Sequence, residues 1–276
     1  MADADLSSYE RATFTHDGKT RDVFRTGSGP AVIVMAEMPG ITPKVLEFAD
    51  RVAGIGCTAV VPHLFGVPGR DPVPSGKPGL GSIGYMLSSI APTCISREFT
   101  VFATGRTSPV ITWLRALGAA EHERCGGPGI GAIGMCFTGG FALAMATDDR
   151  LLAPVLSQPS MPVALTKRSK AARTIDCSAA DLATVKARCA GEGLEVLGMR
   201  FKSDRLVPSS RFRFLEAELG DAFTAIELDD EDANPDAAIA PHSVVTEHLI
   251  DEPGSRTREA LDTVLDLFRR KLLVEA

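Results

Sequence analysis

Apolar residues along this chain fall into two alternating textures, short continuous runs and longer stretches with helical spacing. The run "AVIVMA" at 31–36 is continuous and rich in β-branched residues, and "CTAVVP" at 57–62 is of the same kind. Between them, "KVLEFADRVAGIG" at 44–56 spaces its apolar residues along one face of a helix. Continuous apolar strands joined by a helix predict a parallel sheet buried on both faces. Upstream, "RATFTHDGKTRDVFRTG" at 11–27 predicts an antiparallel hairpin turning at Asp17-Gly18.

The alternation continues downstream. Helices are predicted over 108–124, 137–149, 177–193 and 211–220, with strands over 129–135, 152–159, 194–201 and 223–229. Ser178 followed by Asp181 reads as a capping arrangement for the third of these helices. Residues 231–249 read as a loop, and 255–276 as a terminal amphipathic helix. The pattern predicts one α/β domain over 1–276, a doubly wound, mostly parallel sheet with helices on both faces. Two irregular stretches, 66–96 (dense in Gly, Pro and Ser) and 157–178, are long enough to form lid segments.

Composition narrows the partners. With 45% hydrophobic and 23% charged residues, the chain of 276 residues has the makeup of a globular protein with a substantial core. A formal charge of −6, with no basic run, argues against nucleic acid as a partner. The opening "MADADLSSYE" lacks the basic and apolar regions of a secretory signal, and no apolar run reaches membrane-spanning length. The expectation is a cytoplasmic protein with no membrane partner. None of the six cysteines is spaced as C-x-x-C or set near histidine as a zinc ligand, so reduced thiols and no metal are expected.

One cysteine stands apart. "GAIGMCFTGGFALAMA", 131–146, places Cys136 between a predicted strand and a predicted helix, with small residues at Gly134, Thr138, Gly139 and Gly140. That spacing suits a sharp turn that thrusts a nucleophile out at the sheet edge, where strand and helix backbones nearly touch. The helix N-terminus behind the apex favours thiolate, and the Phe137 N–H is placed to meet a developing oxyanion. The other five cysteines lack this context and read as small buried hydrophobes.

A triad on such a sheet runs nucleophile, acid, histidine. Of the five histidines, His16, His63 and His122 precede Cys136. His242, in the loop after the last strand, is favoured over His248, which reads as lying on the following helix. Asp204, just past the strand "LEVLGMRF", is the favoured acid, ahead of Asp176, Asp181 and Asp229. Glu37 directly follows "AVIVMA", on the loop that supplies the second oxyanion donor. A carboxylate there suits a thiol more than a hydroxyl, because it can hold or take the S–H proton.

Taken together, "VIVMAEMPGITPKV", "GCTAVVPHLFG", "GAIGMCFTGG", "GMRFKSDRLVP" and "PHS" resemble the dienelactone hydrolase family over about residues 30–245. The resemblance implies an α/β-hydrolase fold, no cofactor, and hydrolysis of a small-molecule lactone or ester through Cys136, Asp204 and His242. It implies that Glu37 pairs with the resting thiol and that the Met38 and Phe137 N–H groups form the oxyanion hole. It also implies an arginine for the substrate carboxylate, Arg97 or alternatively Arg106. Two positions depart from the family pattern: Thr138 replaces a glycine two residues after the cysteine, and Thr246 replaces a second substrate arginine four after the histidine. A broader carboxylesterase or thioesterase on the same triad is a second reading. A non-catalytic binding protein of this fold is a third, and the ordered triad argues against it.

Overall fold

The computed structural model describes residues 3–74, 108–164 and 169–273, with scattered positions between 79 and 99 and Thr166. The eight strands are β1 (Glu10–His16), β2 (Lys19–Gly27), β3 (Ala31–Met35), β4 (Thr58–Pro62), β5 (Ile130–Met135), β6 (Leu151–Ser157), β7 (Val196–Phe201) and β8 (Phe223–Leu228). They form one sheet in the order β1-β2-β4-β3-β5-β6-β7-β8. β1, β2 and β4 pair antiparallel, and every pairing from β4 through β8 is parallel. The hairpin turns where expected: Asp17 and Gly18 both take positive φ, 48° and 72°, between the paired His16 and Lys19.

Six helices of the described residues cover the sheet: α1 (Pro43–Gly54), α2 (Pro109–Cys125), α3 (Gly139–Met145), α4 (Ala179–Glu192), α5 (Ser209–Leu219) and α6 (Arg256–Leu272). Strand alternation divides the core into two layers. Ile33 and Met35 of β3 face one layer with Leu114 of α2, Phe141 of α3 and Phe212 of α5. Val32 and Val34 face the other, with Phe48 of α1 and Phe268 of α6. Central strands β3 to β5 are buried throughout, which is why their sequences read as unbroken apolar runs. Local chemistry sets the helix starts. The Thr42, Ser178 and Ser255 hydroxyls accept from Val45, Asp181 and Arg258 N–H groups, capping α1, α4 and α6.

The chain lays β4 on one side of β3 and then crosses to lay β5 on the other. Sites in open α/β sheets form where the strand order reverses in this way, beyond the C-terminal ends of the strands. Glu37 and Met38 follow β3, Cys136 follows β5, Asp204 follows β7, and His242 lies beyond β8. Among the described residues, no helix is long and apolar enough to cross a membrane.

Candidate active site

The turn at Cys136 is tight by construction. Cys136 takes φ 52°, a left-handed conformation that a non-glycine residue adopts only under constraint. A Cβ on Gly134 would sit 2.1 Å from the Thr138 carbonyl oxygen, and one on Gly139 would sit 2.4 Å from Pro159 Cα. Both positions therefore need glycine for close backbone approach.

Thr138 is what holds the turn closed. Its Oγ1 accepts from the Met135 N–H at 2.9 Å and lies 2.9 Å from the Met35 carbonyl and 3.0 Å from the Met135 carbonyl, either of which its proton can reach. The departure from glycine thus supplies a hydroxyl that ties the turn to the end of β3. Phe137 packs edge-to-face with Phe65, Phe99 and Phe141, at ring-centroid distances of 5.7–5.9 Å, giving an apolar wall beside the sulfur.

Asp204 and His242 meet as the chain order predicts. His242 Nδ1 and Asp204 Oδ2 are 2.6 Å apart, and both side chains are buried. The second Asp204 oxygen accepts from the Leu206 N–H at 2.8 Å, so the carboxylate is oriented from both sides. His242 Nε2, also buried, has no hydrogen-bond partner among the described residues. Burial disfavours the charged imidazole, but the nearby Cys136 sulfur and the Asp204 carboxylate outweigh it and raise its pKa well above 6.5.

Glu37 is buried, but its hydrogen bonds run elsewhere than expected. Its Oε2 accepts from Ser243 Oγ at 2.5 Å and from Gln158 Nε2 at 3.2 Å, and its Oε1 accepts from Thr246 Oγ1. No Glu37–Cys136 hydrogen bond is formed among the described residues; the sulfur is instead hydrogen-bonded with Ser160 Oγ, at 3.4 Å. The carboxylate therefore fastens the loop that carries His242 to the end of β3. Thr246, where the family pattern has an arginine, is one of its donors.

His248 lies in the loop read over 231–249, which runs on to Ser255 where α6 is capped, and not on the following helix; its side chain is buried. Its Nδ1 accepts from the Ser243 N–H at 3.1 Å and the His242 N–H at 3.4 Å, while Nε2 donates to the Ile239 carbonyl at 3.1 Å. That pattern requires the neutral ring protonated on Nε2, and burial lowers its pKa below 6.5 accordingly.

Met38 is half-buried and Phe137 buried, each adjoining the turn. The short helical turn starts at Cys136, so the Phe137 N–H falls among its first N–H groups, which have no intrahelical acceptor. Arg97, Arg106 and most of the 75–107 stretch lie outside the described residues. Of the competing acids, Asp181 lies in the first turn of α4 and pairs with Arg115, Asp229 pairs with exposed Lys202, and burial pushes the Asp176 pKa up to about 6 against the opposing pull of Arg211.

Several contributors have no role assigned by the sequence motifs. Ser157, Gln158, Ser160, Ser243 and Thr246 are short polar residues from distant segments, and only the fold brings them together. Arg211, on α5, has a guanidinium without solvent exposure. It donates to the carbonyls of Pro159 (2.5 Å), Pro162 (2.6 Å), Thr174 (2.8 Å) and Ala171 (2.9 Å), tying these points of the 157–178 stretch to α5. No cluster of three or more His, Cys, Asp or Glu suited to a metal lies among the described residues.

Known proteins place this arrangement in context. The model of the dienelactone hydrolase family matches residues 21–187. No curated protein sequence matches the chain. A dienelactone hydrolase-like promiscuous phosphotriesterase from metagenomic libraries superposes with TM-score 0.59 at 16% identity, over 96% of this chain and 98% of that one. A dienelactone hydrolase from Anabaena variabilis gives TM-score 0.56 at 12% identity, over 96% and 99%. A cold-adapted esterase from an Arctic intertidal metagenomic library gives 0.53 at 14%, over 96% and 93%. At these identities the three establish the fold, and the family match covers more than half of the chain. The chain belongs to the dienelactone hydrolase family, an ester hydrolase on an α/β-hydrolase sheet.

Proposed function

We propose that the protein hydrolyses a lactone or ester of a small, carboxylate-bearing molecule through a Cys136 thiolate and an acyl-enzyme. The observation that carries this reading is the buried His242: bound to Asp204 through Nδ1 at 2.6 Å, with Nε2 unpartnered beside a strained Cys136. His242 takes the Cys136 proton, leaving a thiolate–imidazolium pair. The thiolate attacks the ester carbonyl, and the oxyanion is held by the Met38 and Phe137 N–H groups. Collapse breaks the ester C–O bond, and imidazolium Nε2 delivers its proton to the departing oxygen. In a lactone that hydroxyl stays tethered to the acyl group. Neutral His242 then takes a proton from water, the hydroxide attacks the thioester, and the thiolate leaves. Glu37 holds the loop that keeps Nε2 on this axis, and Arg97 or Arg106 receives the substrate carboxylate. The reaction proceeds on cytoplasmic small molecules without a cofactor.

The second reading, a broader carboxylesterase or thioesterase, is favoured by Thr246. Its hydroxyl is committed to Glu37, so this position supplies no cation for a substrate carboxylate. One experiment addresses both. Carboxylate-bearing lactones and neutral p-nitrophenyl esters are compared as substrates for the parent, Cys136→Ala and Arg97→Ala. The proposal expects Cys136→Ala to abolish turnover of both and Arg97→Ala to impair only the acidic substrates. Equal rates on acidic substrates with and without Arg97 favour the broader esterase. Turnover surviving in Cys136→Ala overturns the thiol mechanism, and no turnover in the parent favours a binding protein.

A further inference from the structure

Ser160 is held against the nucleophile by more of the fold than a loop serine requires. Its N–H donates to the Cys136 carbonyl at 2.9 Å, and its hydroxyl lies 3.4 Å from the Cys136 sulfur. Among the described residues that sulfur is the hydroxyl's only hydrogen-bond partner. The flanks are pinned as well. Gln158 is set at a left-handed φ of 36°, anchored by its N–H to the Met199 carbonyl at 2.8 Å and by its amide to Glu37. Pro159 is pressed onto Gly139, and its carbonyl is gripped by the buried Arg211 at 2.5 Å. β6 itself is in register with the strand leading to the nucleophile, Ser157 opposite Met135.

A hydroxyl is a good donor, whereas a thiol is a weak one and a thiolate a strong acceptor. The contact is therefore strongest when sulfur carries the charge. We propose that Ser160 is a further catalytic residue, donating its hydroxyl proton in a hydrogen bond to the Cys136 thiolate on the side not occupied by His242. This rests on the reading of Cys136 as the nucleophile. The bond favours the ionised thiol at rest, is lost when acylation neutralises the sulfur, and forms again as the thiolate leaves during deacylation. Ser160 thus assists the second half-reaction more than the first, because stabilising a thiolate also tempers its nucleophilicity.

The test is the pH dependence of Cys136 alkylation by iodoacetamide, mapped by mass spectrometry, in the parent, Ser160→Ala and Ser160→Thr. Removing a hydrogen bond to a charged group is expected to move the Ser160→Ala midpoint up by about one pH unit, about tenfold less thiolate on the acid side. Ser160→Thr is expected to restore it. With an activated ester, Ser160→Ala should show a full burst followed by slowed turnover. Ser160→Cys, a weaker donor of similar volume, should fall between the parent and Ala, and it serves if Ala folds poorly. An unchanged midpoint in a folded Ser160→Ala overturns the Ser160 assignment while leaving Cys136 as the nucleophile. A parent in which Cys136 reacts no faster than the other cysteines overturns both.

Discussion

Glu37 and Ser243, separated by 206 residues, are joined by a hydrogen bond of 2.5 Å from the serine hydroxyl to the carboxylate. Ser243 adjoins His242, so the bond ties the end of β3 to the histidine loop. Glu37→Gln keeps the volume but turns an acceptor into a donor facing hydroxyl and amide protons. We expect a loss of about 1–3 kcal/mol from the mismatched buried groups and a fall in kcat larger than any change in KM. Urea denaturation and steady-state kinetics check this. Unchanged stability would count against the anchoring role.

Thr138 gives a sharper contrast. Thr138→Ser keeps the hydroxyl and should fold and turn over like the parent. Thr138→Val keeps the shape but leaves the Met135 N–H without its acceptor, which should cost about 1–3 kcal/mol. Thermal unfolding of the two variants side by side decides it, and equal melting temperatures would refute the role of the hydroxyl.

His242 should titrate above 6.5, because the sulfur and Asp204 together outweigh its burial. The stabilisation linked to its proton is fully present below 6.5 and is lost as pH rises through the raised folded value. Cys136→Ala removes the sulfur that favours the charged imidazole, so the midpoint should drop. Proton NMR of the ring C–H signals measures both proteins, and a midpoint unaffected by Cys136→Ala would separate the two side chains.

His248 should behave in the opposite sense. Its pKa is lowered by burial, with the neighbouring His242 also lowering it and Glu37, Asp204 and the Ile239 carbonyl pulling the other way. A depressed base costs stability as pH falls from 6.5 through the folded value, because the unfolded chain binds the proton more readily. Protonated Nδ1 also confronts the His242 and Ser243 N–H groups instead of accepting from them. We expect the parent to lose stability over that range and His248→Gln to lose less. Denaturation free energies measured across pH 4–8 (about the range of carboxylate and histidine titration) test this, and parallel curves would refute it.

Sequence and structure agree most where backbone periodicity or glycine spacing carries the signal. The strands around Val32 and Ile133, the turn at Gly134 and Gly139, and the order of Cys136, Asp204 and His242 all lie in local patterns. What escaped was contact between short polar side chains of distant segments. Ser160 looks like an ordinary loop residue, and Gln158 like the end of a strand, until β6 pairs with β5. His248 sits where the predicted loop is read to meet the following helix, and nothing in the sequence announces that loop amides consume its ring. Glu37 is legible as a carboxylate near the site, but nothing in the sequence pairs it with Ser243 and Thr246.

Arg211 meets the segment facing the site through carbonyl oxygens at Pro159, Pro162, Ala171 and Thr174. Every residue type has a carbonyl, so this anchorage is indifferent to the side chains it holds. Side chains along that segment, Ser160 apart, can be exchanged without loosening its attachment. A lineage could therefore vary this segment widely while a single guanidinium keeps its backbone in place.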